Sequence, residues 1–256
     1  PIVNLLQVEK DERVNAVIQI SREENSKYLL FATEAGVVKK TLISEFDNIR
    51  NSGKICISLR ENDKLIGVKK TTGNDLVLLG SDSGRMVKFN EDEIRVMGRT
   101  ASGVRGISLD GSKCICSEIV KEEDTILLVT EKGYGKQTKV SEYRQTRRGS
   151  KGVKAMNITE KNGNLVSVKI VHEGKELVIM TNSGMTMRMP LDQISVLGRV
   201  TQGLRLINLK DNQKVSTISL VDKPEEETSE ENIEQSENVA QNELEVAENI
   251  QNTEAE

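Results

Sequence analysis

Four short, almost unbroken apolar runs punctuate the chain: Leu29–Ala32, Leu76–Leu79, Ile126–Val129 and Leu177–Met180. Each leads within a few residues to a polar turn closed by glycine: Glu34-Ala35-Gly36, Asp82-Ser83-Gly84, Glu131-Lys132-Gly133 and Asn182-Ser183-Gly184. A second strand-like stretch follows every turn. The pattern predicts β-hairpins in which the glycine sits at positive φ and closes a type I turn as a bulge. Two further apolar segments complete each unit. In the second unit the four predicted strands are Leu76–Ser81, Met86–Phe89, Val104–Leu109 and Cys114–Val120. The longer loop between strands two and three opens with Ser44-Glu45-Phe46, Asp92-Glu93-Ile94, Ser141-Glu142-Tyr143 or Asp192-Gln193-Ile194. Those triplets predict one capped helical turn with an apolar anchor.

The units are copies of one another. The turn glycines Gly36, Gly84, Gly133 and Gly184 recur at intervals of 48, 49 and 51 residues. A second set, Gly53, Gly103, Gly152 and Gly203, recurs at 50, 49 and 51. Four repeats therefore occupy residues 29–70, 76–120, 126–171 and 177–221. Residues 1–20 match the second half of a repeat, so the chain is expected to enter mid-unit and to be part of something longer. It lacks an initiator Met, which agrees with that reading. A four-stranded unit with a period of about 50 residues predicts an all-β, propeller-like array of blades.

Charge splits the chain in two. Residues 222–256 carry 13 acidic side chains and one Lys, whereas residues 1–221 hold 35 Lys/Arg against 27 Asp/Glu. The overall −4 is thus a basic body of +8 with an acidic tail of −12. The body predicts a polyanionic partner. The tail, rich in Glu, Asn and Gln, buries too little apolar surface to offset its ordering entropy and is expected to be disordered. It is also expected to compete with polyanions for the body at low salt.

The basic residues follow the repeat. The inter-strand loop carries Arg50, Arg99, Arg147 with Arg148, and Arg199, and the second glycine is followed by Lys54, Arg105, Lys154 or Arg205. Others fall on the hairpins and second strands, at Lys39, Lys40, Arg85, Lys88, Lys136, Lys139 and Arg188. Recurrence at equivalent positions predicts a basic stripe along one rim, suited to the phosphates of duplex DNA. Bending a site of roughly 20–30 bp by about 40–90° costs on the order of 1–6 kcal/mol, which several Lys/Arg–phosphate contacts can offset. No base-reading helix is evident, so binding is expected to be nearly sequence-blind. The densest motif is Thr146-Arg147-Arg148-Gly149-Ser150-Lys151-Gly152. Its arginines predict bidentate phosphate contacts, and its glycines predict close approach of backbone N–H groups to a phosphate.

Several function classes are excluded or disfavoured. Six Phe/Tyr and no Trp leave no stacking platform for single-stranded bases. No apolar run reaches the roughly 18 residues of a membrane-spanning helix, so no membrane partner is expected. The three cysteines predict a reducing compartment and no disulfide framework; Cys114 and Cys116 are expected to be core residues, and His172 a surface residue in a turn. No nucleophile–base pair or metal-ligand set stands out, so no catalytic or metal site is expected.

The segments PIVNLL, MGRTASGVRGI, EKGYGKQT and GRVTQGLRLI, together with the repeat itself, resemble the family of C-terminal domains found in the A subunit of bacterial DNA gyrase. The resemblance covers Pro1 to about Val221. It implies a β-pinwheel that wraps duplex DNA around its rim and so supports ATP-dependent negative supercoiling by a cytoplasmic type II topoisomerase. It also implies the gyrase B subunit and a second A subunit as partners, with ATP and Mg used elsewhere in that complex and no cofactor in this chain. The family's box motif, Gln-Arg-Arg-Gly-Gly-Lys-Gly, is matched by residues 146–152 at five of seven positions, with Thr146 for Gln and Ser150 for Gly. By register this is a box-like loop on a later blade, and the box proper is expected ahead of Pro1. The catalytic tyrosine of the family is expected outside this chain, leaving Tyr28, Tyr134 and Tyr143 as structural residues. Two alternatives stay open: the related domain of the topoisomerase IV A subunit, which serves substrate choice, and a protein-interaction propeller with no DNA role.

Overall fold

An apolar run without alternation can be a strand only if both of its faces are covered, and that condition shapes the whole array. A computed structural model of the chain describes residues 14, 17–20, 26–47, 53–210 and 212–223. Most of the half repeat, Arg50 and the tail from residue 224 lie outside the described residues. The chain divides into two units, Pro1–Val221 and Asp222–Glu256. The elements below belong to the first, the last strand ending one residue beyond it.

Among the described residues the structure is all β apart from single 3-10 turns. The strands are β1 (Tyr28–Thr33), β2 (Val37–Leu42), β3 (Leu65–Thr71), β4 (Leu76–Ser81), β5 (Arg85–Asn90), β6 (Val104–Arg105), β7 (Cys114–Val120) and β8 (Thr125–Thr130). They continue as β9 (Tyr134–Lys139), β10 (Val153–Lys154), β11 (Leu165–Ile170), β12 (Lys175–Thr181), β13 (Thr186–Pro190), β14 (Leu204–Arg205) and β15 (Val215–Asp222). They form four antiparallel sheets, ordered β3-β1-β2-β6, β7-β4-β5-β10, β11-β8-β9-β14 and β15-β12-β13. The pinwheel arrangement of blades expected from the repeat is present.

The hairpins form as the turn chemistry dictates. Each turn glycine has φ between 75° and 81° and donates its N–H to the residue three before it, as Gly133 does to the Thr130 carbonyl at 3.0 Å. A hydroxyl at that earlier position braces the turn in every unit. Thr33, Ser81, Thr130 and Thr181 each accept from the first backbone N–H after the glycine, at 3.1–3.3 Å.

The third strand departs from the sequence reading. It is two residues long, not six, and it pairs with the preceding unit's sheet. β6 lies on β2, β10 on β5 and β14 on β9. The cause is local. Gly103, Gly152 and Gly203 bring the chain so close to β2, β5 and β9 that a Cβ would lie 2.0–2.7 Å from their backbone carbonyls. Two residues later the ladder ends, because consecutive N–H groups converge on the carbonyl of the preceding hairpin glycine. Gly106 and Ile107 both donate to Gly36, Ala155 and Met156 to Gly84, and Leu206 and Ile207 to Gly133. The fourth strand is stitched backwards as well, with Cys114, Leu165 and Val215 donating to Glu34, Asp82 and Glu131.

The core lies between blades. Leu30 and Val38 of the first sheet pack with Leu79, Val87, Phe89 and Ile107 from the second unit, and Leu127 and Val129 pack with Leu177 and Ile179. Ile94, Tyr143 and Ile194 are the buried anchors of the 3-10 turns. Among the described residues only Asn90 caps such a turn with its side chain; Ser44, Asp92, Ser141 and Asp192 stand inside the turns and not at their caps. Cys114 and Cys116 are buried core thiols, and burial pushes Cys114 up to about 12, so neither is a ready thiolate. His172 is exposed.

Candidate nucleic-acid interface

Four of the strand-two cations are not on a rim. Lys39, Lys40, Lys88 and Lys136 are buried, because strands covered on both faces offer no solvent side. Their amines staple one blade to the next. Lys40 donates to the Glu91 carbonyl at 2.8 Å, Lys88 to the Val140 carbonyl at 3.3 Å, and Gln137 takes the same place on the Leu191 carbonyl at 2.6 Å. Lys136 donates to the carbonyls of Gly198 and Arg199 at 2.8 and 2.7 Å.

Burial pushes Lys136 down from 10.5 to about 8, with Glu142 pulling it up and Arg199 adding a smaller downward push. The unfolded chain then binds the proton more tightly than the folded one between about pH 8 and 10.5. Folded stability should rise with pH across that window, by up to about 3 kcal/mol. Denaturant unfolding of the wild type and Lys136→Met at intervals from pH 7.5 to 10.5 checks this. The wild type should gain on the variant, and a constant difference would mean that the amine titrates as if solvated.

The loop arginines form a recurring clasp. Arg99, Arg148 and Arg199 are half-buried, and their Nη1 groups donate to the carbonyls of Ile55 (3.2 Å), Arg105 (3.1 Å) and Lys154 (2.5 Å) in the preceding unit. The backbone N–H groups of Arg148 and Arg199 are held by the carboxylates of Glu93 and Glu142. Ile55, not Lys54, is therefore the first-unit counterpart of Arg105; Lys54 is half-buried and donates to the Glu45 carbonyl.

The box-like loop is also built differently from its sequence reading. Four of its backbone N–H groups are taken up within the protein and do not face an anion: Thr146 donates to Lys88, Arg148 to Glu93, Gly149 to Gly106 and Ser150 to Arg147. Thr146 and Ser150 hydroxyls bond to each other at 3.2 Å. Gly149 and Gly152 serve positive φ, and Gly152 the close approach to Met86. Arg148 spends its Nε on the Glu93 carbonyl, and Lys151 pairs with Asp110 at 2.6 Å, holding that carboxyl below its usual range. Arg147 remains exposed, with no side-chain partner among the described residues.

Three exposed cations lie on the outermost strands. Arg105, Lys154 and Arg205 occupy equivalent places on β6, β10 and β14, and all three are exposed. Lys154 reaches Asn157, while Arg205 stacks on the Tyr134 ring and donates to its hydroxyl at 3.0 Å. Around Tyr134 the structure adds Lys132, Lys161, Lys210 and Lys214, which no repeat position had singled out. Arg95 and Arg144, exposed and directly after the anchors Ile94 and Tyr143, were also missed. Their shared register was the available signal.

The family description "DNA gyrase C-terminal domain, beta-propeller" matches residues 27–72, 75–115, 124–172 and 175–222. The chain belongs to this family. It is 42% identical over 230 residues to the A subunit of DNA gyrase from Staphylococcus epidermidis, covering 88% of this chain and 26% of that protein. The Staphylococcus aureus counterpart is 42% identical over 236 residues, covering 90% and 27%. The chain thus spans about a quarter of the length of these curated relatives. Among solved structures, a DNA topoisomerase IV C-terminal domain superposes with a TM-score of 0.79 at 24% identity, over 86% of this chain and 70% of that one. A DNA gyrase A C-terminal domain gives 0.75 at 24% identity, over 86% and 74%. These two likenesses establish the fold.

Proposed function

We propose that this gyrase C-terminal domain binds duplex DNA along the outer strands of its blades and wraps it there. The supporting observation is the exposed cation repeated on β6, β10 and β14, with Arg147 standing free beside it. Phosphates met at successive blades by Arg105, Lys154 and Arg205 would be neutralised one after another, and counterion release would drive the wrap. Arg99, Arg148 and Arg199 contribute the donors that the clasp leaves over. Residues 146–152 act chiefly through Arg147 and Lys151, the rest of the loop holding them in place. In a parent enzyme with the gyrase B subunit and a second A subunit in the cytoplasm, such a wrap supports ATP-dependent negative supercoiling. The ATP, Mg and catalytic tyrosine act outside this chain. Among the described residues no helix is long and apolar enough to cross a membrane.

Religation of a nicked circle in the presence of the chain tests wrapping. A shifted linking number is expected. Binding without a shift would favour the topoisomerase IV type of role, and no salt-dependent binding would favour a protein-interaction propeller. Arg147 and Arg148 should differ. Arg147→Ala is expected to lower the slope of log K against log[salt] by about 0.9 with unchanged thermal stability. Arg148→Ala should in addition lose about 1–2 kcal/mol of stability, because two interblade carbonyls lose their donor. Equal stability losses in the two variants would contradict the clasp.

A further inference from the structure

Lys39 and Lys136 are the third residues after their hairpin glycines, and both are fully buried. Among the described residues neither ammonium has a carboxylate in ion-pair range. Lys136 instead donates to the carbonyls of Gly198 and Arg199, and Lys39 to those of Arg99 and Cys56. In both cases one of the two acceptors is the peptide carbonyl of the clasp arginine itself. Carbonyl dipoles return only part of the hydration an ammonium loses on burial. An apolar side chain fits the same place, since the second sheet has Val87 there. Val87 faces the box-like loop, where Arg148 has an additional bond from its Nε to the Glu93 carbonyl. Among the described residues the lysine therefore faces the two loops whose arginine Nε makes no hydrogen bond to a carbonyl, Arg99 having only the Glu45 carboxylate at 3.9 Å beside it, and it holds the arginine's own backbone.

We infer that Lys39 and Lys136 are positioning residues for Arg99 and Arg199, fixing where those side chains leave the rim toward DNA. This rests on the DNA-binding reading above. An arginine on a loose loop must be ordered when it meets a phosphate, and that ordering subtracts from affinity. With its carbonyl held from below and its Nη1 on the preceding unit, Arg199 is ordered in advance.

The test is a double-mutant cycle on the whole chain, with Lys136→Met, Arg199→Ala and the double variant, read by duplex binding across salt concentrations. Lys136→Met is expected to fold, as Val87 indicates, and to lose about three- to tenfold in affinity with a slope lowered by up to about 0.9. The double variant should bind no worse than Arg199→Ala alone. Hydrogen exchange of the Gly198–Thr201 amides should quicken in Lys136→Met while the β8–β9 amides stay protected. Wild-type affinity and slope in Lys136→Met, or losses that add in the double variant, would overturn the inference. A wild-type chain that does not bind duplex DNA would overturn the DNA reading instead, and the inference with it. Should Lys136→Met not fold, Lys39→Met with Arg99→Ala provides the same cycle, and additivity there overturns the inference equally.

Discussion

Alanine at Gly152 is expected to destabilise the chain by roughly 3–5 kcal/mol, the range of the most damaging single substitutions. Its φ of +66° already costs an L-residue about 1–2 kcal/mol. The larger part is steric: a Cβ there would stand 2.0 Å from the Met86 carbonyl oxygen and 2.5 Å from its carbon. Both are backbone atoms of β5, paired on one side with β4 and on the other with β10, so neither can yield. The joint between the second sheet and the box-like loop should open, and duplex binding should fall with it. Gly184→Ala is the comparison, since its φ is +81° but nothing lies within 4 Å of the added methyl. That variant should lose only the φ cost of about 1–2 kcal/mol. Thermal melts of the two decide the matter, because equal losses would show that Gly152 is needed for its φ alone.

Glu91→Ala should be nearly as severe, at about 3–5 kcal/mol. Its side chain is wholly buried. One carboxylate oxygen accepts from the N–H groups of Gly73 and Asp75, at 2.7 and 3.0 Å, and closes the link between the first two repeats. The other accepts from the Thr71 hydroxyl at 2.7 Å and faces the Lys40 ammonium at 3.6 Å. Removing it leaves the buried Lys40 ammonium without its counter-charge and three donors, the Thr71 hydroxyl and the Gly73 and Asp75 N–H groups, without their acceptor. Adding Lys40→Met should restore part of the loss, because the uncompensated charge goes with it. Denaturant midpoints for both single variants and the pair measure this, and a fully additive pair would show that the two groups do not interact.

How far the fold could be read from the sequence follows from how local each signal is. The hairpins were readable because Gly36, Gly84, Gly133 and Gly184 impose their turns within four residues. The blades were readable because runs such as Leu76–Leu79 exclude a solvent face. The destination of the third strand was not, since it depends on Gly152 meeting Met86, 66 positions earlier in the chain. Reading Lys39, Lys40, Lys88 and Lys136 as rim cations set residue type above environment. Val37-Val38-Lys39-Lys40-Thr41 lies in a strand buried on both faces, which left its lysines no way out. Arg105, Lys154 and Arg205 differ in standing on outermost strands, and the glycine just before each of those strands was the visible marker.

The passing of each third strand to the sheet before it makes the spans of the sheets overlap along the chain. The first sheet draws on residues 28 to 105, the second on 76 to 154, the third on 125 to 205 and the fourth on 175 to 222. Between residues 28 and 222 no peptide bond can be cut so as to leave only whole sheets on both sides. A protease that nicks one loop therefore cannot release a blade, and a shortened chain ending at a repeat boundary loses the closing strand of a sheet whose own hairpin is intact. Emerging from a ribosome, the second sheet waits for β10, by which time the β8–β9 hairpin of the next has already been made. The first three sheets are links, each closed only by its successor.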